Sequence, residues 1–293
     1  MGWLTRALRN DGVLKGFGKR TLVTWDDEIV LVTGGSRGIG GLLAETLALR
    51  HVNVVVLDLV PPEIENGNIN FYKCDVSDLD QVKNVAKEII EDVGHPTILV
   101  NNAGILRGKT ILDGSEEDIQ ETINTNLLSS FWTTKVFLPN MIENNHGHIV
   151  TIASILGYTG IAQTADYCAS KAGLISFHDS LRFELKMRYN APKIRTTLVC
   201  PGHMGTGLFD GVVVTMPFLT PCLPPLDLVK LIITALDRNE GREIYIPYFT
   251  YLTPLLRAGP GFLFDLATRY SGAHSSMKTW TDKRKLLEIK KTE

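Results

Sequence analysis

Eight residues constrain this chain more than any others: Thr33-Gly34-Gly35-Ser36-Arg37-Gly38-Ile39-Gly40. They follow an apolar, β-branched run, Glu28–Val32. They lead into GIGGLLAETLALR, where apolar residues recur at helical spacing. A second apolar, β-branched run, Val52–Leu57, comes next. Strands of this composition are buried on both faces, and two of them joined by a helix form a βαβ unit in a parallel sheet. Glycines 34, 38 and 40 then stand where a backbone must turn sharply and approach a pyrophosphate held at a helix N-terminus. Glycine clusters also mark ordinary turns, so the weight rests on the flanks and on Asp58. That acid ends the second strand, 20 residues beyond Gly38. A carboxylate there accepts hydrogen bonds from the adenosine ribose and repels a 2′-phosphate. Asp58 favours NAD, while Arg37, which can reach a phosphate, keeps NADP open. The cofactor residues read from this segment are Gly34, Ser36, Arg37, Gly38, Ile39, Gly40 and Asp58.

The alternation continues along the chain. Ile69–Cys74, Thr97–Asn101, His148–Ala153, Ile194–Cys200 and Glu243–Pro247 read as further strands. Asp78–Val93 reads as a helix. Ser115 with Asp118 forms a capping box opening a long helix towards Asn140, and Thr164–Tyr189 forms a second long helix. The expected fold is α/β: a single Rossmann-type, doubly wound parallel sheet flanked by helices on both faces. We divide the chain into a basic amphipathic segment (1–27), a Rossmann-type domain (28–247), and an extension (248–293) that is apolar and then basic.

Composition limits the partners. The net charge of −2 gives no reason to expect nucleic acid. Cys74, Cys168, Cys200 and Cys222 form no C-x-x-C pair and lie near no histidine at ligand spacing, so no metal is expected and free thiols are. Arg6, Arg9 and Asp11 interrupt the first residues, which therefore hold no apolar signal core, and the protein is expected not to be secreted.

The glycine run, Asn101-Asn102-Ala103-Gly104, Ser154, Tyr167-x-x-x-Lys171 and Pro201-Gly202 occur in the order and spacing of the short-chain dehydrogenase/reductases, a family this chain resembles over roughly residues 28–247. The start EIVLVTGG, the tail EIYIPYFTYLTPLLRA and the later SGAHSSM resemble the membrane-associated retinol and 17β-hydroxysteroid dehydrogenase branch, its fungal members especially. Members of that branch often begin with a long apolar anchor, and the first residues here lead us to expect none. The resemblance implies that Asp75 and Val76 flank an adenine, and that Asn102, Ala103 and Gly104 line the cofactor near a ribose. It places Pro201, Gly202 and Thr206 by the nicotinamide, and implies that Asn126 supports a water-mediated proton path to Lys171. It also implies a homodimer built from the two long helices.

The residues themselves carry the chemistry. Tyr167 and Lys171, four apart, share one helix face. An ammonium beside a phenol stabilises phenolate and lowers its pKa, so Tyr167 can exchange a proton with an alcohol or ketone. Lys171 would also hold ribose hydroxyls. Ser154 lies just past the fifth strand, at the carboxyl end where such sheets bind ligands, and can hold the substrate oxygen. The catalytic set is Asn126, Ser154, Tyr167 and Lys171. His178 and His203 read as structural, because the tyrosine fills the acid/base role. Cys168 reads as packing, since no base is visible to activate it.

The resemblance implies that 28–247 is the catalytic domain, with a substrate lid at about 204–226; there Leu208–Leu226 holds one acid and no basic residue, which suits a small lipophilic substrate of steroid, retinoid or long-chain type. Ile244–Leu266 is apolar but broken by Pro247, Pro254, Pro260, Arg257 and Asp265, so it should not span a membrane. With Trp3, Leu4, Leu8 and Phe17 among basic residues it can form an interfacial patch; alternatively it covers the sheet edge and a dimer partner. The expected location is the cytosolic side, peripheral on endoplasmic reticulum or lipid droplets. Two other functions compete: a soluble carbonyl reductase of secondary or sphingoid-base metabolism, and a non-catalytic dinucleotide sensor. The complete proton-transfer set argues against the sensor.

Overall fold

In chain order the strands are β1 (Ile29–Thr33), β2 (Asn53–Asp58), β3 (Ile69–Lys73), β4 (Ile98–Asn101), β5 (His148–Ile152), β6 (Arg195–Pro201) and β7 (Glu243–Ile246). The main helices are α1 (Gly38–Ala48), α2 (Leu79–Asp92), α3 (Glu116–Ile123), α4 (Ser129–Asn144), α5 (Ala165–Met187), α6 (Pro225–Asp237), α7 (Thr253–Ala258), α8 (Gly261–Ser271) and α9 (Ala273–Ser276). They come from a computed structural model that describes residues 22–212, 221–277 and 280. Residues 1–21 of the basic N-terminal segment, the middle of the expected lid and the basic end of the tail therefore lie outside the described residues.

The strands form one parallel sheet in the order β3-β2-β1-β4-β5-β6-β7. Strand side chains alternate between faces, so each apolar run feeds two cores at once. Val30, Val32, Val54 and Val56 face α1 and α6, packing with Leu43, Leu47, Ile232 and Leu236. Leu31, Val55 and Leu57 face the other way, towards Val82 and Ile89 of α2, Met141 of α4 and Leu185 of α5. Each fully buried aliphatic side chain contributes about 1.5–3 kcal/mol of transfer free energy. That two-faced burial is why the strands read as continuous apolar runs.

Strand order reverses between β1 and β4, which opens a crevice beyond their carboxyl ends. Ser115 caps α3 as a capping box with Asp118. The helix expected to run on from there does not continue regularly. Asn124–Leu128 is a π-helical turn between α3 and α4, and α4 extends to Asn144. After β7 the chain folds back as a 3₁₀ turn (Tyr248–Leu252) and then α7, α8 and α9. Among the described residues no helix is long and apolar enough to cross a membrane.

Candidate active site

The glycine-rich turn joins β1 to α1 at the crevice. A Cβ on Gly40 would lie 2.3 Å from the Gly34 carbonyl oxygen and 2.4 Å from Asn102 Nδ2, so only glycine lets α1 start this close to the strand ends. Gly38 has φ +60° and nothing nearer its outer face than Thr206, 4.0 Å away. Gly34, with φ +62°, packs against the backbone of Ala103. Asn102 fastens the turn, donating from Nδ2 to the carbonyls of Thr33 (2.9 Å) and Gly34 (3.0 Å). Thr33 Oγ1 accepts from the amides of Asn102 (3.0 Å) and Ala103 (3.1 Å). Ile39 packs on the core beneath, and Arg37 lies exposed at the helix start.

Asp58 sits at the end of β2, beside this turn. Its carboxylate accepts from the amides of Ser36 (3.0 Å) and Leu59 (2.7 Å). The Ser36 hydroxyl donates to the Val60 carbonyl at 2.6 Å. Asp58 therefore braces the glycine turn, a role its sequence position did not signal. Beyond β3, Asp75 accepts from the amide and hydroxyl of Ser77 (2.9 and 2.7 Å), and Val76 is buried.

On the other side of the crevice β5 and α5 bring Ser154, Tyr167 and Lys171 together. Ser154 Oγ accepts from the Leu156 amide at 3.1 Å and hydrogen-bonds Tyr167. Lys171 Nζ lies 5.6 Å from the centre of the Tyr167 ring and donates one of its protons to the Ile152 carbonyl at 2.9 Å. Asn126 is wholly buried in the π-helical turn. Its amide bonds both backbone groups of Ile105, at 2.7 and 2.9 Å, and donates to Ser170 Oγ at 3.1 Å. A Cβ on Gly104 would stand 3.5 Å from Asn126 Oδ1 and 3.7 Å from Lys171 Nζ, so these three positions border one space.

The sequence led us to expect the ammonium to lower the tyrosine pKa. Here burial dominates instead. It pushes the Tyr167 phenol well above its usual value, with the Ser154 hydrogen bond pulling part of the way back. Burial also pushes Lys171 down, to about 8. Both groups lose water in this enclosed pair, which disfavours the phenolate and the ammonium alike. His178, read as structural, is buried in α5 with Nδ1 3.3 Å from Thr151 Oγ1.

An apolar cleft opens beside Ser154 and encloses about 1210 Å³ of non-atom space, its solvent-filled mouth included. Ile155, Leu156, Gly202, His203, Phe209 and Val212 form its inner side. Thr206 and Gly202 place the β6 loop over the crevice, with the Gly202 amide donating to the Ile246 carbonyl at 2.8 Å. The opposite wall comes from the tail: Phe249, Leu256, Phe264, Thr268 and Met277 face the cleft. Met277 is buried with Tyr167 and Leu106. Sequence reasoning missed this wall. Its only signal was apolar spacing in the tail, which equally fits an outward-facing patch.

The sequence profile of the short chain dehydrogenases matches residues 28–215. The dehydrogenase RED2 of Cochliobolus heterostrophus is 47% identical over 178 residues, spanning 60% of this chain and 67% of the relative. Epidermal retinol dehydrogenase 2 of Homo sapiens is 35% identical over 271 residues, spanning 89% and 87%. In fold, the chain is similar to a 4-hydroxyisoleucine dehydrogenase complexed with NADH, with a TM-score of 0.64 at 24% identity over 75% of this chain and 96% of that one. A matched profile over most of the sheet and relatives along nearly the whole length agree: the chain belongs to the short-chain dehydrogenase family, in its retinol dehydrogenase branch, and is an oxidoreductase of the NAD(P)-dependent alcohol dehydrogenase type.

Proposed function

We propose that this protein interconverts a lipophilic alcohol and its carbonyl with NAD as partner, using Ser154, Tyr167, Lys171 and Asn126. The observation that carries this reading is the apolar cleft opening directly on Ser154, beside the buried Tyr167–Lys171 pair. The crevice suits a dinucleotide. Gly38 is open on its outer side, Asp58 stands at the neighbouring strand end, and Lys171 Nζ and Asn126 border the space at Gly104. A bound nicotinamide would accept or supply the hydride. Tyr167 gives or takes the proton at the substrate oxygen, and Ser154 Oγ holds that oxygen in place. Lys171 Nζ anchors a ribose and supports Tyr167, while Asn126 fixes the Ile105 backbone and leads the proton path outward. Asp58 makes NAD the preferred nucleotide by its charge, and exposed Arg37 is the feature that favours NADP. Gly34, Ser36, Ile39, Gly40, Asp75, Val76, Asn102, Ala103, Gly104, Pro201, Gly202 and Thr206 complete the dinucleotide site.

The protein also works at a lipid surface as a homodimer. The outer faces of the 3₁₀ turn, α7 and α8 expose Tyr248, Leu252, Leu255, Phe262, Leu266 and Tyr270. An apolar patch of this kind marks an interaction site, and its inner face walls the cleft. A panel of steroids, retinoids, long-chain alcohols and polar carbonyls, assayed with each nucleotide by absorbance of the reduced cofactor, tests the reading. Turnover of the lipophilic members with NAD is expected. Activity confined to polar carbonyls with NADPH would favour a soluble reductase, and dinucleotide binding without any turnover a sensor.

A further inference from the structure

Trp280 has no part in the chemistry above, yet the fold makes a seat for it. Gly108, in the loop after β4, has φ +62°, and a Cβ there would lie 2.3 Å from Cε3 and 2.6 Å from Cζ3 of the Trp280 ring. The indole therefore rests directly on glycine backbone, a contact that any side chain at 108 would block. Its Nε1–H donates to the Leu208 carbonyl at 3.1 Å, in the loop after β6. Its amide donates to the Met277 carbonyl at 3.1 Å. Gly108 is itself fastened, its carbonyl accepting from Gln163 Nε2 at 3.2 Å just ahead of α5. One tryptophan thus joins the tail to the loops after β4 and β6.

Those loops frame Tyr167. Leu106, Tyr167 and Met277 form one buried cluster, and Trp280, Leu208 and Phe209 pack against it. Met277 also lines the cleft that opens on Ser154. An indole brings a large apolar area and a single donor, and here the ring serves one loop and the donor the other. We propose that Trp280 is a positioning residue: seated on Gly108 and tied to Leu208, it holds Met277 in the Tyr167 cluster and so sets the fit of the cleft to its substrate. This role rests on the lipophilic alcohol/carbonyl reading above and deepens it, because Trp280 acts on the substrate through Met277. Its loss therefore shows in how the alcohol is held and not in dinucleotide binding, since the glycine turn and Asp58 belong to β1, α1 and β2.

The test combines kinetics with ¹³C-methyl spectra of the methionines in the full chain, the Met277 resonance being assigned from Met277→Leu. Trp280→Ala should move that resonance towards the position of a solvated methionine. It should also raise KM for a long-chain alcohol about tenfold while the Kd for NAD stays unchanged. Trp280→Phe keeps a ring on Gly108 without the N–H, and should recover most of both readouts. Gly108→Ala leaves the tail untouched and puts a methyl group into the seat, so it should imitate Trp280→Ala. In the double variant the two losses should not add, because both remove one contact. Additive losses would trace Gly108→Ala to its own strained backbone and overturn the seat. A Met277 resonance unmoved in Trp280→Ala, or an unchanged KM, overturns the positioning role. If the unmodified protein turns over no alcohol, the catalytic reading fails, and the Met277 methyl then reports binding of the same alcohol in the presence of NAD. Affinity about tenfold weaker in Trp280→Ala sustains the role of Trp280; equal affinity, or no binding to the unmodified protein, overturns it.

Discussion

Tyr167 and Asp58 are the two residues whose replacement separates chemistry from binding. Tyr167 is 4% exposed, in contact with Phe209 and Met277 through its ring and with Ser154 through its oxygen. Tyr167→Phe removes that oxygen alone. Turnover should fall at least about a hundredfold while dinucleotide binding, followed by fluorescence titration, persists. A variant turning over near the wild-type rate would mean the proton comes from elsewhere. Asp58 does two things at once on the proposed reading: its charge would face the adenosine end, and it accepts the amides of Ser36 and Leu59. Asp58→Ala should therefore weaken NAD binding and reduce discrimination against NADP. Asp58→Asn loses the charge and keeps an acceptor for only one of the two amides, since Ser36 and Leu59 donate to different carboxylate oxygens, so it should reduce discrimination while still loosening the turn. Equal affinities of the unmodified protein for both nucleotides would remove Asp58 from the selecting role.

Among elements, the spacing between the turn after Ser154 and helix α5 is the feature most exposed to a small change. A Cβ on Gly157 would lie 2.8 Å from the Lys171 carbonyl oxygen and 2.6 Å from Ile175 Cδ1, so glycine lets the turn touch the helix backbone. Gly157→Ala should push Ser154 away from Tyr167 and lower kcat about tenfold or more, because sub-ångström misplacement is costly in catalysis. The melting transition should show the protein still folded; unchanged kcat would show that the turn can give way. Elements were legible where one physical signal was strong. Two-sided burial made β1 and β2 apolar, and Ser115 with Asp118 announced α3. The π-helical turn at Asn124–Leu128 was not legible, since it exists to seat Asn126 against Ile105, a contact 21 residues away along the chain. The alignment of Ser154, Tyr167 and Lys171 was legible as spacing, but their electrostatics were not. Burial is a property of the finished fold, and it reversed the shift that spacing suggested for Tyr167. The buried Nδ1 of His203, unpartnered among the described residues, was likewise not legible, because such an atom is invisible until its surroundings are built.

At the scale of the whole molecule, two apolar faces stay exposed among the described residues. The first lies on α4 and α5, where Phe131, Phe183 and Met187 face outward. Pairing of these helices across a two-fold axis would cover them, so sedimentation should report a dimer at micromolar concentration; a monomer there counts against it. The second is the outer face of residues 248–270. Flotation with anionic liposomes should carry the protein upward and persist in moderate salt. Leu255→Glu with Phe262→Glu changes only outward side chains and should abolish it, whereas protein remaining wholly in the soluble fraction would exclude the lipid surface. The tail between them has a double character. The proposed proton transfer belongs to the sheet ends and α5, while the far side of the cleft belongs to Phe249, Leu256, Phe264 and Met277, all within one late stretch of chain. Inheritance can therefore rewrite what is admitted without disturbing what is done to it. Sister enzymes can diverge in diet by drift in their last few dozen residues, and a graft of that stretch from one to another should carry the diet with it.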